Sequence, residues 1–342
     1  MPSPVIDLRP GHGDLPLPND VLLHIHDLML RGRVLEERLI TMYKQGDGFF
    51  WIGGPGEEAF NVPLGLLVEK GQGPAYDYLH LHYRSASTLL AMGADPVAAL
   101  RQMKNTATDP YSGGRNFSSH ATIRKWNVVP ISSPIEVQFA MAPGTAMVQK
   151  RHGGRGITIV QGGDAGTAEG EFASCLIWSS RPANPLPVLM IVVNNRFGIS
   201  TPYDGQHGET YIADRGKAFN MPTAVIDGND PEVAYVAIQK AMEFVRTERR
   251  PFLLEVMTSR LYGHSSASGA NFVSKESDCL ERFEQKLEDR GLLTRARMDE
   301  MRAAYTQELL EASQRVRNEP QPDGSTIFDY VFADKNIVGG EV

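Results

Sequence analysis

Cysteine is nearly absent: Cys175 and Cys279 are the 2 in 342 residues. One sits in an apolar helical stretch and the other beside charged residues, which argues against a disulfide framework and points to a reducing compartment, the cytoplasm. Basic excess is missing too. Lys and Arg number 34 against 41 Asp and Glu, a net charge of −7, which argues against a nucleic-acid partner. No apolar run reaches the ~20 residues of a membrane span, so no membrane partner is expected. The opening residues, MPSPVIDLRPGHGD, have neither a signal-peptide core nor the Arg- and Ser-rich character of a presequence. What remains is a globular composition, 42% apolar and 22% charged, in a chain long enough for one large α/β domain with extensions or for two domains.

The stretch from Gly162 to Thr201, GGDAGTAEGEFASCLIWSSRPANPLPVLMIVVNNRFGIST, carries the most chemistry. An apolar strand, Ile157–Val160, feeds a glycine-rich turn that presents one hard carboxylate, Asp164, beside a helix start. A second strand, Val188–Val193, ends in Asn194 and Asn195. A carboxylate and an amide oxygen at the carboxyl ends of neighbouring parallel strands suit Mg²⁺ holding a diphosphate. Two other readings compete. In an ordinary strand–turn–helix, Asp164 would simply cap the helix. A dinucleotide site would require G-x-G-x-x-G, absent from this turn, and an acidic residue where Asn194 stands.

Four apolar strands, 157–161, 188–193, 222–227 and 252–257, alternate with helical patterns. That is the signature of a doubly wound parallel sheet, whose ligands bind outside the carboxyl ends of the strands. The loops 162–170, 194–208 and 258–275 are therefore the candidates for function. An N-terminal helix is expected from Asn19 or Asp20, either of which can cap it, to Gly46. His24 and His26 lie two apart on it and cannot share a metal. Alternation over Tyr78–Tyr83 predicts a strand, with Arg84 at its end as a phosphate ligand. Phe49, Phe50 and Trp51 read either as a core-edge loop or as the wall of an apolar pocket. Ser132-Ser133-Pro134 closes a long polar run and can cap a helix beginning at Ile135 or aim an oxygen at a ligand. Gly263-His264-Ser265-Ser266-Ala267 partly matches a serine-hydrolase elbow without its final glycine. His264, among glycines and serines in a loop expected to be mobile until something orders it, is the acid/base or phosphate candidate. Thr294 caps a charged helical region over 276–318, and an apolar tail, Ile327, Phe328, Tyr330, Val331 and Phe332, is expected to dock on its own domain or a partner. The boundaries expected are 1–46 for an N-terminal arm and helix, 47–275 for the α/β domain and 276–342 for a C-terminal helical extension.

Eight segments occur in family order: GPGEEAFNV, HYRSASTLLAMG, ISSPI, GDAGTAEGE, NNRFGISTP, VIDGNDPEVAY, RLYGHSSAS and NEPQPDGSTIFDYVF. Together they resemble the alpha subunit of the thiamine diphosphate-dependent, decarboxylating first component of a 2-oxo acid dehydrogenase complex, branched-chain members above all. Two departures stand out: Ala165 where the family has glycine, and Ser268 where it usually has Asp. The resemblance implies the thiamine diphosphate-binding α/β fold with helical extensions. It implies Mg²⁺ held by Asp164, Asn195 and the backbone carbonyl of Phe197. It places Tyr83, Arg84, Ser133, Ile135, Gly163, Asp164, Ala165, Gly166, Glu169, Asn195, Arg260 and His264 on the cofactor, with His264 catalytic. The implied partners are a beta subunit, two chains of each kind per component, and a lipoyl-bearing acyltransferase that takes the acyl group from a small 2-oxo acid. Pyruvate and acetoin enzymes share most of these motifs. An inactive assembly or regulatory subunit is the alternative of another class.

Overall fold

The computed structural model describes residues 8–11, 13–273 and 275–329. In chain order the strands are β1 (Tyr78–His80), β2 (Thr158–Gly163), β3 (Val188–Asn194), β4 (Phe197–Gly198), β5 (Thr201–Pro202), β6 (Thr223–Asp227) and β7 (Phe252–Met257). The helices are α1 (Asn19–Lys44), α2 (Glu58–Leu67), α3 (Ala86–Ala91), α4 (Pro96–Lys104), α5 (Val137–Arg151), α6 (Gly170–Ser180), α7 (Asp214–Lys217), α8 (Pro231–Glu248), α9 (Cys279–Asp289) and α10 (Arg295–Val316). Five strands make one parallel sheet in the order β1-β2-β3-β7-β6, and β4 with β5 forms a small antiparallel hairpin. Among the described residues no helix is long and apolar enough to cross a membrane.

The sheet is doubly wound because its central strands are apolar on both faces. In β3, Leu189, Ile191 and Val193 share a core with Phe60 and Leu64 of α2 and Ala237 and Ile238 of α8. The alternate residues Val188, Met190 and Val192 pack with Phe139 of α5 and Phe172 of α6 on the other side. Period-two alternation sends neighbours to opposite faces, so a continuous apolar run requires a helix layer on each. The four expected strands form within two residues of their expected limits. The run at 78–83 is a strand only to His80; the backbone then turns, with Ser85 N–H donating to the His82 carbonyl (3.1 Å), and leaves residues 82–84 facing a cavity.

A third core joins the two ends of the chain. Leu22, Ile25, Met29 and Leu39 of α1 pack with Phe283 and Leu287 of α9, Leu309 and Val316 of α10, and Trp51. Arg33 binds this cluster to the α/β body. Its fork donates to Glu58 (2.6 and 3.0 Å) and to Asp278 (2.9 Å), so three segments meet on one buried guanidinium. Both cysteines are buried and free. His26 is buried against Glu284 (3.3 Å), a structural place as its spacing implied.

Two expected local features differ, and the open reading of the aromatic run is decided. Pro18, not Asn19 or Asp20, stands at the start of α1, where its constrained φ sets the entry and no side chain caps. Trp51 is fully buried and donates its indole N–H to Glu36 (2.8 Å), while Phe49 is 71% exposed; neither they nor Phe50 line the cavity described below. The loop after β7 is tied down rather than free: Ser266 N–H donates to the Trp51 carbonyl (2.7 Å), and Ser265 and Ser268 close a reciprocal capping box. Thr294 caps α10 as read, and Asp95 and Asp230 likewise each accept a helix N–H. The tail docks through Glu319, whose carboxylate takes the Arg101 fork (2.9 to 3.0 Å), and through Pro320, whose carbonyl accepts from Ala107 N–H (2.8 Å). Ile327 and Phe328 are exposed, and Tyr330, Val331 and Phe332 lie outside the described residues.

Burial pushes the Glu36 carboxyl up from 4.5 to about 7, although the Trp51 bond opposes the shift. A carboxyl raised on folding favours the native state when protonated. Its stabilising contribution is complete below about pH 4.5 and is lost as pH rises through about 7. Glu36→Gln keeps an acceptor for the indole and removes the charge. Its melting temperature is expected to match the parent below about pH 4.5, to pull ahead as pH rises from there, and to keep a constant lead above about 7. Parallel melting curves across that range would show that Glu36 does not set the slope.

Candidate functional site

A cavity of about 280 Å³ opens at the carboxyl ends of the strands. The chain reaches it from five places: residues 82–84 after β1, 135–136 before α5, 163–169 after β2, the hairpin after β3, and His264 in the loop after β7. This is the position that the sheet's crossover pattern assigns to a ligand. Of the residues singled out in the sequence, Tyr83, Arg84, Ile135, Gly163, Asp164, Ala165, Gly166, Glu169, Phe197 and His264 line it.

Asp164 is held by its backbone. Its N–H donates to the Val193 carbonyl (3.2 Å), and its carbonyl accepts from Thr167 Oγ1 (2.7 Å). The carboxylate does not cap the following turn, so Asp164 lacks the role that the plain strand–turn–helix reading gave it. Its Oδ2 is buried without a hydrogen-bond partner. Burial raises the carboxyl to about 6 against the pull of Arg84. An orphaned buried carboxylate oxygen is costly by itself and is suited to a cation. Asn195, one residue past the end of β3, is buried outside the cavity lining; its Oδ1 accepts from Phe197 N–H (3.2 Å) and its Nδ2 donates to Glu57 (3.4 Å). A carboxylate, an amide oxygen and a nearby backbone carbonyl are hard donors of the kind Mg²⁺ takes. Among the described residues there is no cluster of three His, Cys, Asp or Glu that offers another metal site.

The extra methyl of Ala165 is accommodated by the hairpin. A Cβ at Gly198 would stand 2.6 Å from that of Ala165, so the hairpin approaches this closely only because residue 198 is glycine. Arg260 sits outside the cavity lining. Its guanidinium lies over the Phe197 ring (4.7 Å) and donates to the Ile199 carbonyl (2.7 Å), holding the same hairpin. Ser133 is also outside the lining. It is exposed, does not cap α5, and bonds His120 Nε2 (2.9 Å).

The cavity's charges are organised by Arg84, which is buried. It donates through Nη1 to Glu57 (3.2 Å) and through Nη2 to His264 Nδ1 (2.9 Å). A guanidinium has no acceptor, so Nδ1 of His264 must carry the lone pair and Nε2 the proton. Burial, then Arg84 and Arg260, lower the His264 pKa to about 4, so the ring is neutral with an Nε2–H group. Tyr83 meets His264 edge-on (6.2 Å) and stacks with His120 (6.3 Å). Ser265, the residue a hydrolase elbow would use, is buried and spent on its capping box with Ser268.

Sequence reasoning gave no role to four residues of this site. Glu57 pairs with Arg84; its only signal was the acidic doublet in GPGEEAF. His82 and Gln206 line the cavity, and burial holds His82 well below the usual histidine range. Glu136 has a left-handed backbone (φ 60°), and its carboxyl occupies the space that side chains at Gly162 and Gly166 would need. Burial raises it to about 8. A single acid between Ile135 and Val137 gives no pattern to read.

A family model described as "Dehydrogenase E1 component" matches residues 26–325. Among curated proteins, the chain is 29% identical to the 2-oxoisovalerate dehydrogenase subunit alpha of Bacillus subtilis (strain 168), over 94% of this chain and 98% of that one. It is 26% identical to the pyruvate dehydrogenase E1 component subunit alpha of Mycoplasma pneumoniae, over 95% of this chain and 88% of the relative. The mitochondrial 2-oxoisovalerate dehydrogenase subunit alpha of Homo sapiens is 25% identical, over 93% of this chain and 72% of its own.

Proposed function

Because the chain belongs to the dehydrogenase E1 component family, we propose that it is the alpha subunit of a thiamine diphosphate-dependent 2-oxo acid dehydrogenase. In this reading Asp164, Asn195 and the Phe197 carbonyl hold Mg²⁺ on the diphosphate, and Tyr83, Arg84 and the turn from Gly163 to Glu169 line the cofactor's cavity. Arg260 acts through the hairpin it fixes, and Ser133 and Ile135 border the aminopyrimidine. The observation that carries the proposal is the buried, unpartnered Oδ2 of Asp164 at the carboxyl ends of β2 and β3. When bound, the cofactor serves as the electron sink for loss of CO₂ from the 2-oxo acid.

The chain's own contribution is position and charge. Arg84 supplies positive charge in a buried place where it is weakly screened. His264, neutral with its proton on Nε2, would donate a hydrogen bond to the 2-oxo oxygen, which gains negative charge when its carbonyl carbon is attacked, and the same N–H group would steady that oxygen during acyl transfer. Burial of His82, Tyr83 and Arg84 keeps that end of the cavity dry. The acyl group passes to a lipoyl group on a partner acyltransferase. A branched-chain acid is the favoured substrate, supported by relatives named for 2-oxoisovalerate; pyruvate is the second reading, supported by the Mycoplasma relative. The partner is a beta subunit, two of each chain, which completes the cofactor's surroundings.

Calorimetric titration of thiamine diphosphate with Mg²⁺ into the complex of this chain with its beta subunit tests the proposal. Saturable binding abolished by a chelator is expected, together with decarboxylase activity that disappears when the beta subunit is left out. No binding in an intact complex would replace the enzyme by an assembly subunit.

A further inference from the structure

The Asp164 carboxylate takes its direction from the turn that carries it, because its Oδ2 has no hydrogen-bond partner. That turn is closed at Thr167, whose N–H (3.1 Å) and Oγ1 (2.7 Å) both donate to the Asp164 carbonyl. Thr167 is gripped in its own right from outside the turn. Its carbonyl accepts from Arg215 Nη1 (2.6 Å), which arrives from α7, 48 positions along the chain. The guanidinium is confined on several sides. Nη2 pairs with Glu209 and lies 3.4 Å from His207 Nδ1. The central carbon lies 5.9 Å from the centre of the Phe172 ring on α6. The His207 side chain is fully buried and stacks on Tyr203 (4.4 Å). The chain entering α7 is fixed as well: buried Glu255 of β7 accepts from Ala213 N–H (2.8 Å) and from Asn194 Nδ2 at the end of β3 (2.7 Å). Arg215 thus reaches Thr167 from a braced segment, through a charge-assisted bond. Its side chain is 31% exposed, so it is not a support of the core.

We infer that Arg215 is a positioning residue for the metal: by holding the Thr167 carbonyl it keeps the turn in the form that presents the Asp164 carboxylate at the cavity. The inference rests on the proposed function, in which Asp164 takes Mg²⁺. The sign of the effect separates positioning from charge. A guanidinium repels a nearby divalent cation, so removing Arg215 for its charge alone would tighten Mg²⁺ binding. Removing a brace weakens it, because ordering the carboxylate then costs binding energy.

The experiment is a calorimetric titration of Mg²⁺ into the alpha–beta complex at saturating thiamine diphosphate, with a thermal melt of each variant. Arg215→Met is expected to weaken Mg²⁺ by ~10–100-fold, the range for an outer partner of a metal ligand. Excess Mg²⁺ should then restore the parent affinity for the cofactor. Arg215→Lys keeps the charge and one donor without the planar fork, and should fall between. Thr167→Val keeps the shape of the side chain and removes the 2.7 Å bond. It should weaken Mg²⁺ as well, and its effect should be less than additive with that of Arg215→Met. Arg215→Lys and Thr167→Val carry the same test if Arg215→Met does not assemble. Unchanged or tighter Mg²⁺ binding, whatever the melting temperature, overturns the positioning role and leaves the cofactor reading intact. So does a loss of cofactor affinity that excess Mg²⁺ leaves uncorrected, since that is general damage to the site. Absence of Mg²⁺-dependent binding in the parent complex overturns the cofactor reading, and this inference with it.

Discussion

Asp164→Ala is expected to abolish Mg²⁺-dependent binding of thiamine diphosphate while leaving the ligand-free fold at least as stable as the parent. The two halves have one cause. The carboxylate has a buried oxygen with no partner and makes no capping bond, so in the free protein it costs more than it contributes. Its place in the turn depends on backbone bonds to Val193 and Thr167, which alanine keeps. With the metal present, the same oxygen becomes the one negatively charged ligand in the set. Removing an outer partner of a metal ligand already costs ~10–100-fold in affinity, so removing the charged ligand should exceed ~100-fold. Asp164→Asn, which keeps an oxygen and loses the charge, should fall between. Calorimetry reads the affinity, and a thermal melt of the metal-free protein reads the fold. A variant that melts far below the parent would mean that Asp164 is structural. A variant that binds as the parent does would remove the metal from this turn.

Arg84→Met should cost more in stability than any other single change at the site, about 3–5 kcal/mol, the range for breaking one side of a buried ion pair. Glu57 is fully buried, and desolvation already raises its carboxyl; Arg84 is what pulls it back. Without the guanidinium, Glu57 must take up a proton to stay inside, so the variant should suffer most at alkaline pH and recover as pH falls. The double variant Arg84→Met with Glu57→Gln should regain much of the stability, because no unpaired charge is left. It should not regain cofactor binding, because the cavity has lost a buried positive charge and His264 has lost the donor that fixes its tautomer. Denaturant unfolding and calorimetry on both variants separate these effects. Recovery of binding in the double variant would show that Arg84 serves the fold alone.

Much of this could be read from residue order. The apolar runs at 188–193 and 252–257 could only be strands covered on both faces, and glycines with one acid at 162–166 could only be a turn. Those local preferences marked the strands along the chain and the loop ends where a ligand would sit. The motif order named Asp164, Arg84 and His264 as well. The aromatic run at 49–51 was ambiguous for a physical reason: an apolar residue fits a core and a pocket equally, and only the Glu36 partner of Trp51 decides for the core. Ser133 was ambiguous in the same way between capping and recognition.

What folding alone decided is which polar groups are paired. Arg84 meets His264 across 180 positions, and His26 meets Glu284 across 258. Periodicity states that a face is buried; it does not state which donor from a distant segment arrives there. Proton positions follow from those meetings. That His264 carries its hydrogen on Nε2, that Ser133 bonds His120 rather than capping α5, and that Glu136 lies in a hollow left by two glycines are consequences of contacts between segments. The sequence determined the strands, the turns and the chemical inventory, because these depend on neighbours along the chain. The tertiary structure decided tautomers, pairings and orphaned atoms, because these depend on neighbours in space.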